Sequence, residues 1–252
     1  MIDIIHMIKM EFYRYFRSTS TWISLFAAVI LAFLMVMLVH TTINTTAVPV
    51  RISDAGELLA VQINSGVPMA LCAVSVIIFV SAKYKNGFIK NIANQLPRRE
   101  LLVIPEIIAA FTACALCFFA YSVCTIVAGK LFWGNTFITS SFFAIMKLLM
   151  VQFILHWSFC CLLMLIYMLT YSTAFTVAVG LLITFKILNI IYTLVERFTR
   201  FNIEQYMLDA NIFQIGMESA AATYIKTMIV GLIFLLAEII LLCIVMHQKD
   251  IR

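Results

Sequence analysis

Six stretches of about twenty mostly apolar residues, each the length a helix needs to cross a bilayer, constrain this chain more than any other feature. They cover residues 21–40, 67–83, 101–127, 147–170, 174–195 and 224–246. Within hydrocarbon every backbone N–H and C=O must be satisfied internally, so such a chain folds as helices or as a closed barrel. A barrel would show alternating segments of about ten residues, and these runs are continuous. Composition agrees: the 252 residues are 64% hydrophobic and 12% charged, with only 8 Gly and 4 Pro to interrupt helices. An ordinary soluble domain is about half apolar and about a quarter charged. Disorder, a secreted disulfide scaffold and a soluble enzyme are thereby excluded. The expected fold is all-α: a polytopic membrane protein with six transmembrane helices in a single transmembrane domain spanning residues 1–252. No segment between spans is long enough for a separate domain. No internal repeat, no interrupted span and no cleavable signal sequence is evident.

Six spans put both termini on one side, together with the loop between spans two and three. That side holds Lys9, Arg14, Arg17, Lys83, Lys85, Lys90, Arg98, Arg99, Lys249 and Arg252. The opposite side holds Arg51, Lys130, Lys147, Arg197, Arg200 and Lys226, and Lys186 falls inside a span. Ten basic residues against six predict, by the positive-inside rule, that both termini are cytoplasmic. The partner implied throughout is the lipid bilayer of a cell membrane, not nucleic acid. The two largest outer segments are residues 41–66 and 196–223. The second is rich in Phe, Tyr and Met and is expected to form short helices dipping into the interface.

Two inner segments carry pattern. In Ile2–Arg17, with 100° per residue, Ile4, Ile5, Ile8, Phe12, Tyr15 and Phe16 share one face. Asp3, His6, Lys9, Glu11, Arg14 and Arg17 occupy the other arc. This is an amphipathic helix suited to an anionic membrane surface. It reads either as a plain anchor or as an elbow, residues 1–20, feeding span one. The second segment is the inner loop, residues 84–100. Asn86-Gly87 reads as a turn, and Phe88, Ile89, Ile92 and Leu96 form the apolar stripe of a short helix that Pro97 ends. A simple connector needs only a few residues. The stripe must bury on the lipid, on its own bundle, or in a groove of a cytoplasmic partner.

These two segments, RYFRSTSTW and YKNGFIKNIANQLPRRE, together resemble those of ABC-2 type ABC transporter permeases of the small six-span branch. That branch includes bacterial peptide and antimicrobial exporters and immunity permeases. Many relatives carry an acidic residue before the tyrosine and Thr after the glycine, where Lys83 and Phe88 stand here. The resemblance implies that the loop is a coupling helix seated in a cleft of a separate ATPase chain. The residues carried over are Tyr84, Gly87, Phe88, Ile89, Lys90 and Asn91, with Ile92 on the same stripe. The N-terminal helix would be the elbow, through Ile4, Ile8, Phe12, Phe16, Arg14 and Arg17. The implied assembly is two ATPase copies and a second permease chain, in the cytoplasmic membrane of a bacterium. The implied activity is export of a hydrophobic or amphipathic substrate such as an antimicrobial peptide. The alternative is a non-transporting sensor, immunity or assembly protein that binds its partner through the same helix.

No nucleotide site is expected in this chain. The nearest string to a P-loop, Gly129 to Thr136, has Asn135 where the phosphate-binding lysine is required. ATP and Mg would therefore sit on the partner. Ionisable residues inside spans are costly and mark polar sites. Lys186 and Glu238 lie within about a turn of the same depth and could pair. Glu106 lies within reach of Lys83, Arg98 or Arg99, and His156 is mid-span. These four are the candidate intramembrane polar site, read either as packing pairs or as points on a transport path. Cys114, Cys117 and Cys124 recur on one helix face, an arrangement read as packing in preference to soft-metal binding. Neither an HExxH pair nor a GxSxG elbow is present.

Overall fold

The computed structural model describes residues 4–45, 54–85, 99–138, 141–199 and 202–248. Its helices are α1 (Ile4–Arg17), α2 (Thr19–Thr45), α3 (Ala55–Asn64), α4 (Val67–Lys85), α5 (Val103–Trp133), α6 (Phe142–Thr170), α7 (Thr173–Thr184), α8 (Leu188–Thr199), α9 (Leu208–Gln214) and α10 (Ala221–Gln248). Short 3-10 turns occupy Arg99–Leu102, Gly134–Thr136 and Glu204–Tyr206. Among the described residues the only strand-like feature is a bridge between Asp54 and Ile138.

Five helices (α2, α4, α5, α6 and α10) are long and apolar enough to cross a membrane, and the α7–α8 pair makes six if counted as one bent span. The protein is thus a helical, multi-pass membrane protein. Helix ends extend past the apolar runs: α5 continues to Trp133 and α6 starts at Phe142. Backbone pairing continues into the interface once a helix is nucleated.

α6 is the hub of the bundle. About 72% of its apolar stretch lies inside the protein, against 17% for α2 and 28% for α10. α6 packs on α10, α4, α5 and α7, and α2 packs mainly on α5. At the α6–α10 seam Gly231 permits close approach, since a Cβ there would lie 3.0 Å from Leu155 Cδ2. α2 and α5 run in the same direction. His40 meets Trp133 edge-on at one end, and Ser24 lies beside Cys117 farther down. The described parts of the segments between spans, residues 54–66 and 202–220, enter the bundle and do not stop at its surface. α3 buries Leu58, Leu59 and Ile63, and α9 buries Leu208 through Ile212.

Two expectations are corrected. Span five is not one straight helix: α7 and α8 are bent by 60°. The break lies at Phe185–Ile187, and Lys186 adopts φ 59°. Three contacts lie at the break. The Gly66 turn (φ 81°) abuts Thr184, to whose carbonyl oxygen a Cβ on Gly66 would come within 3.0 Å. The Thr184 hydroxyl donates back to Gly180 O at 2.9 Å, a bond that competes with the helix ladder. Phe213 receives the Lys186 ammonium over its ring at 4.3 Å.

The second correction concerns α1. Its polar arc does not all face water: Met7, Glu11 and Tyr15, at i, i+4 and i+8, are buried, while Ile5 and Phe16 stay exposed. Ile4, Ile8 and Phe12 are half-buried and Arg17 is exposed. The helix therefore has three faces, because a stripe at the border of the apolar and polar arcs turns onto α4 and α5.

Candidate functional site

The most concentrated buried chemistry lies where α1, the C-terminal end of α4 and the N-terminal end of α5 meet. α1 brings Glu11 and Arg14, α4 brings Lys83 and Tyr84, and α5 brings Glu106. Lys83 is central. Its Nζ lies 2.6 Å from Glu106 Oε1 and 2.9 Å from Glu11 Oε1. Arg14 Nη2 lies 2.7 Å from Glu11 Oε2, and its guanidinium sits 4.2 Å over the Phe79 ring. The Tyr84 hydroxyl donates to Glu106 at 3.3 Å from Oε2, and its ring meets Tyr167 and Tyr171 at 5.6 and 5.8 Å.

Lys83, Glu11 and Glu106 are each no more than 2% exposed. Two cations face two anions, so the cluster is neutral as a whole. Burial lowers Arg14 below the usual guanidinium range, and the adjoining Glu11 carboxylate opposes that shift. Such a network is rarely worth much in net stability, yet removing one member leaves a bare buried charge. Its sequence spacing matters: Lys83 and Tyr84 stand at the start of the 84–100 loop and Glu106 follows its end. The network therefore binds both ends of that loop to the N-terminal helix. A Thr21 hydroxyl bond to Tyr15 O at 2.7 Å carries the join into the start of α2.

Of the remaining loop residues, Gly87, Phe88, Ile89, Lys90, Asn91 and Ile92 lie outside the described residues. Tyr84 is the one coupling candidate that is described. Glu106 takes Lys83 as its partner. Lys186 and Glu238 do not pair. Lys186 rests on Phe213, while Glu238, 3% exposed, accepts from the Ser158 hydroxyl at 3.0 Å. His156 is fully buried, with Nδ1 2.7 Å from Gln152 O and its ring 4.8 Å from that of Phe118. These groups are dispersed through the bundle. Cys114 and Cys117 are buried and Cys124 is half-exposed. Among the described residues no group of three His, Cys, Asp or Glu could hold a metal ion.

Sequence reasoning missed Glu11 as a partner of Lys83, because the amphipathic pattern of α1 assigned it to the surface. It also missed a polar layer at the far end. There the Tyr121 hydroxyl donates to Gln62 Oε1 at 3.0 Å and Gln152 Nε2 donates to Ile212 O at 2.9 Å. Thr227 donates to Asn211 at 3.0 Å and Tyr192 to Asp209 at 2.8 Å. The available signal was Gln152 standing alone in an apolar run. No protein-family model matches the chain, and no curated protein matches it in sequence.

Proposed function

We propose that this chain is the membrane-spanning permease subunit of an ATP-driven exporter of the ABC-2 type. A separate ATPase would bind residues 84–100 from the cytoplasm and supply ATP and Mg. Two permease chains and two ATPases would form the working unit, with both termini cytoplasmic, in a bacterial cell membrane. The cargo proposed is hydrophobic or amphipathic, such as an antimicrobial peptide.

The observation that carries the reading is the Glu11–Lys83–Glu106 network. A displacement applied to the inner loop would reach α1, α4 and α5 together, because one buried cation holds all three. The resemblance of the two inner segments to permeases supports it independently. Co-purification tests it: the chain is expected to bring down a soluble P-loop ATPase in a two-to-two complex. Phe88→Asp with Ile92→Asp should abolish that recovery and the transport. Recovery and transport unchanged in this variant would overturn the assignment.

The break at Lys186 favours a second reading, a secondary transporter, since discontinuous spans are characteristic of that class. A secondary transporter, like a membrane sensor or immunity protein, would purify without an ATPase.

A further inference from the structure

Between α2 and α5 an open groove of about 990 Å³ faces outward from the bundle. Its walls are apolar: Trp22, Phe26 and Val29 on α2, and Phe119, Ala120 and Val123 on α5. It begins at Thr19, where α2 starts, and ends at Val29. Ten helical residues rise about 15 Å, half of the roughly 30 Å hydrocarbon thickness of a bilayer. The groove therefore has the length of one leaflet. Its mouth differs from its walls. Ser18 and Ser20 share a hydrogen bond of 2.6 Å there, and the Trp22 indole N–H donates to Phe16 O at 3.0 Å, the posture of an interfacial tryptophan. Arg17, exposed, stands at the same turn with its guanidinium 5.7 Å over the Tyr13 ring. Arg14 is taken up by Glu11, which leaves Arg17 as the cation closest in sequence to the mouth.

We propose that this groove is a binding site for one anionic phospholipid of the leaflet that holds α1, with an acyl chain between α2 and α5 and the phosphate at Arg17. Two features select this occupant: the one-leaflet length of the groove, and an exposed cation two residues before Thr19, where the groove begins. The assignment requires that α2 and α5 span the membrane and is independent of the exporter reading. Chemically, Arg17 supplies charge-assisted donors to phosphate oxygens, and the groove replaces acyl-chain packing in bulk lipid with contact to the rings of Phe26 and Phe119.

The full chain in nanodiscs, given a phosphatidylglycerol with a photoactivatable diazirine on its acyl chain, tests this. Crosslinks should concentrate on Phe26, Phe119 and Val123 over the lipid-facing Ile233 and Leu236 of α10, which are also exposed. Phosphatidylglycerol should label the groove about five-fold more than a matched phosphatidylcholine probe, the equivalent of about 1 kcal/mol for one arginine near the surface. Arg17→Gln should erase that preference while leaving the chain folded. Ala120→Phe should fill the groove and remove the labelling itself. Labelling spread evenly over α2 and α10 would overturn the proposal, as would a groove blind to headgroup charge. So would a Phe26→Cys variant that crosslinks quantitatively to its own copy, since a second chain would then occupy the groove.

Discussion

Lys83 shows how one residue determines the chemistry of a whole end of the molecule. Two buried carboxylates, Glu11 and Glu106, depend on its single ammonium. Lys83→Met removes the cation and leaves excess negative charge in a dry site, which should lower unfolding stability by about 3–5 kcal/mol. Adding Glu106→Gln should restore most of the loss, because the Glu11–Arg14 pair then remains balanced. Denaturation midpoints of the purified single and double variants check this, and a double variant no better than the single would refute the charge argument. Asp209 gives a pH prediction outside the spans. Burial raises its carboxyl above the ordinary range, and the Tyr192 hydrogen bond only partly offsets this. With the folded value raised, its stabilising contribution is full below the ordinary carboxylate value of about 3.9. It is lost as pH rises through the raised value. Asp209→Asn should therefore remove that decline from the thermal unfolding profile across the acid range.

At the scale of elements, the break between α7 and α8 has a stated cost. A non-glycine residue in the left-handed region is disfavoured by about 1–2 kcal/mol, and Lys186 sits there at φ 59°. Lys186→Gly should keep the bend and relieve the backbone cost, since glycine accepts that conformation, while giving up the ammonium–Phe213 contact. Lys186→Val should cost about 1–2 kcal/mol by the same steric argument. Spin labels at the exposed Phe175 and Leu194 would report whether the 60° bend persists. A straightened pair in the glycine variant would show that the ammonium–Phe213 contact, not the backbone, holds the break. α1 carries the complementary lesson. Its helical period was legible, and two of its faces follow from it. The third face exists only because α4 and α5 present Lys83, Glu106 and Phe79 to a stripe that straddles the apolar and polar arcs.

For the whole molecule, the positions of the five long apolar helices were readable because hydropathy is a local property: twenty apolar residues must find lipid or a core wherever they lie. The start of span two at Val67 and the end of span four at Thr170 coincide with the helix bounds. The candidate site was legible in part. Glu106 and Lys83 stood out as charges near apolar runs, but their connection through Glu11 spans over seventy residues of sequence and leaves no periodic trace. The same holds for Lys186 and Glu238. Their similar depth suggested a pair, yet depth along two helices says nothing of their rotation about the axes. Rotation is set by packing, through contacts such as Gly231 against Leu155 and the Ser158 bond to Glu238. By itself, then, the sequence determined that the chain is helical, that it belongs in a membrane, and which segments are apolar enough to cross. Only the tertiary structure decided where a span breaks, which charges meet and which face of α1 turns inward. Those outcomes depend on side chains far apart in sequence finding partners in a medium without water to substitute for them.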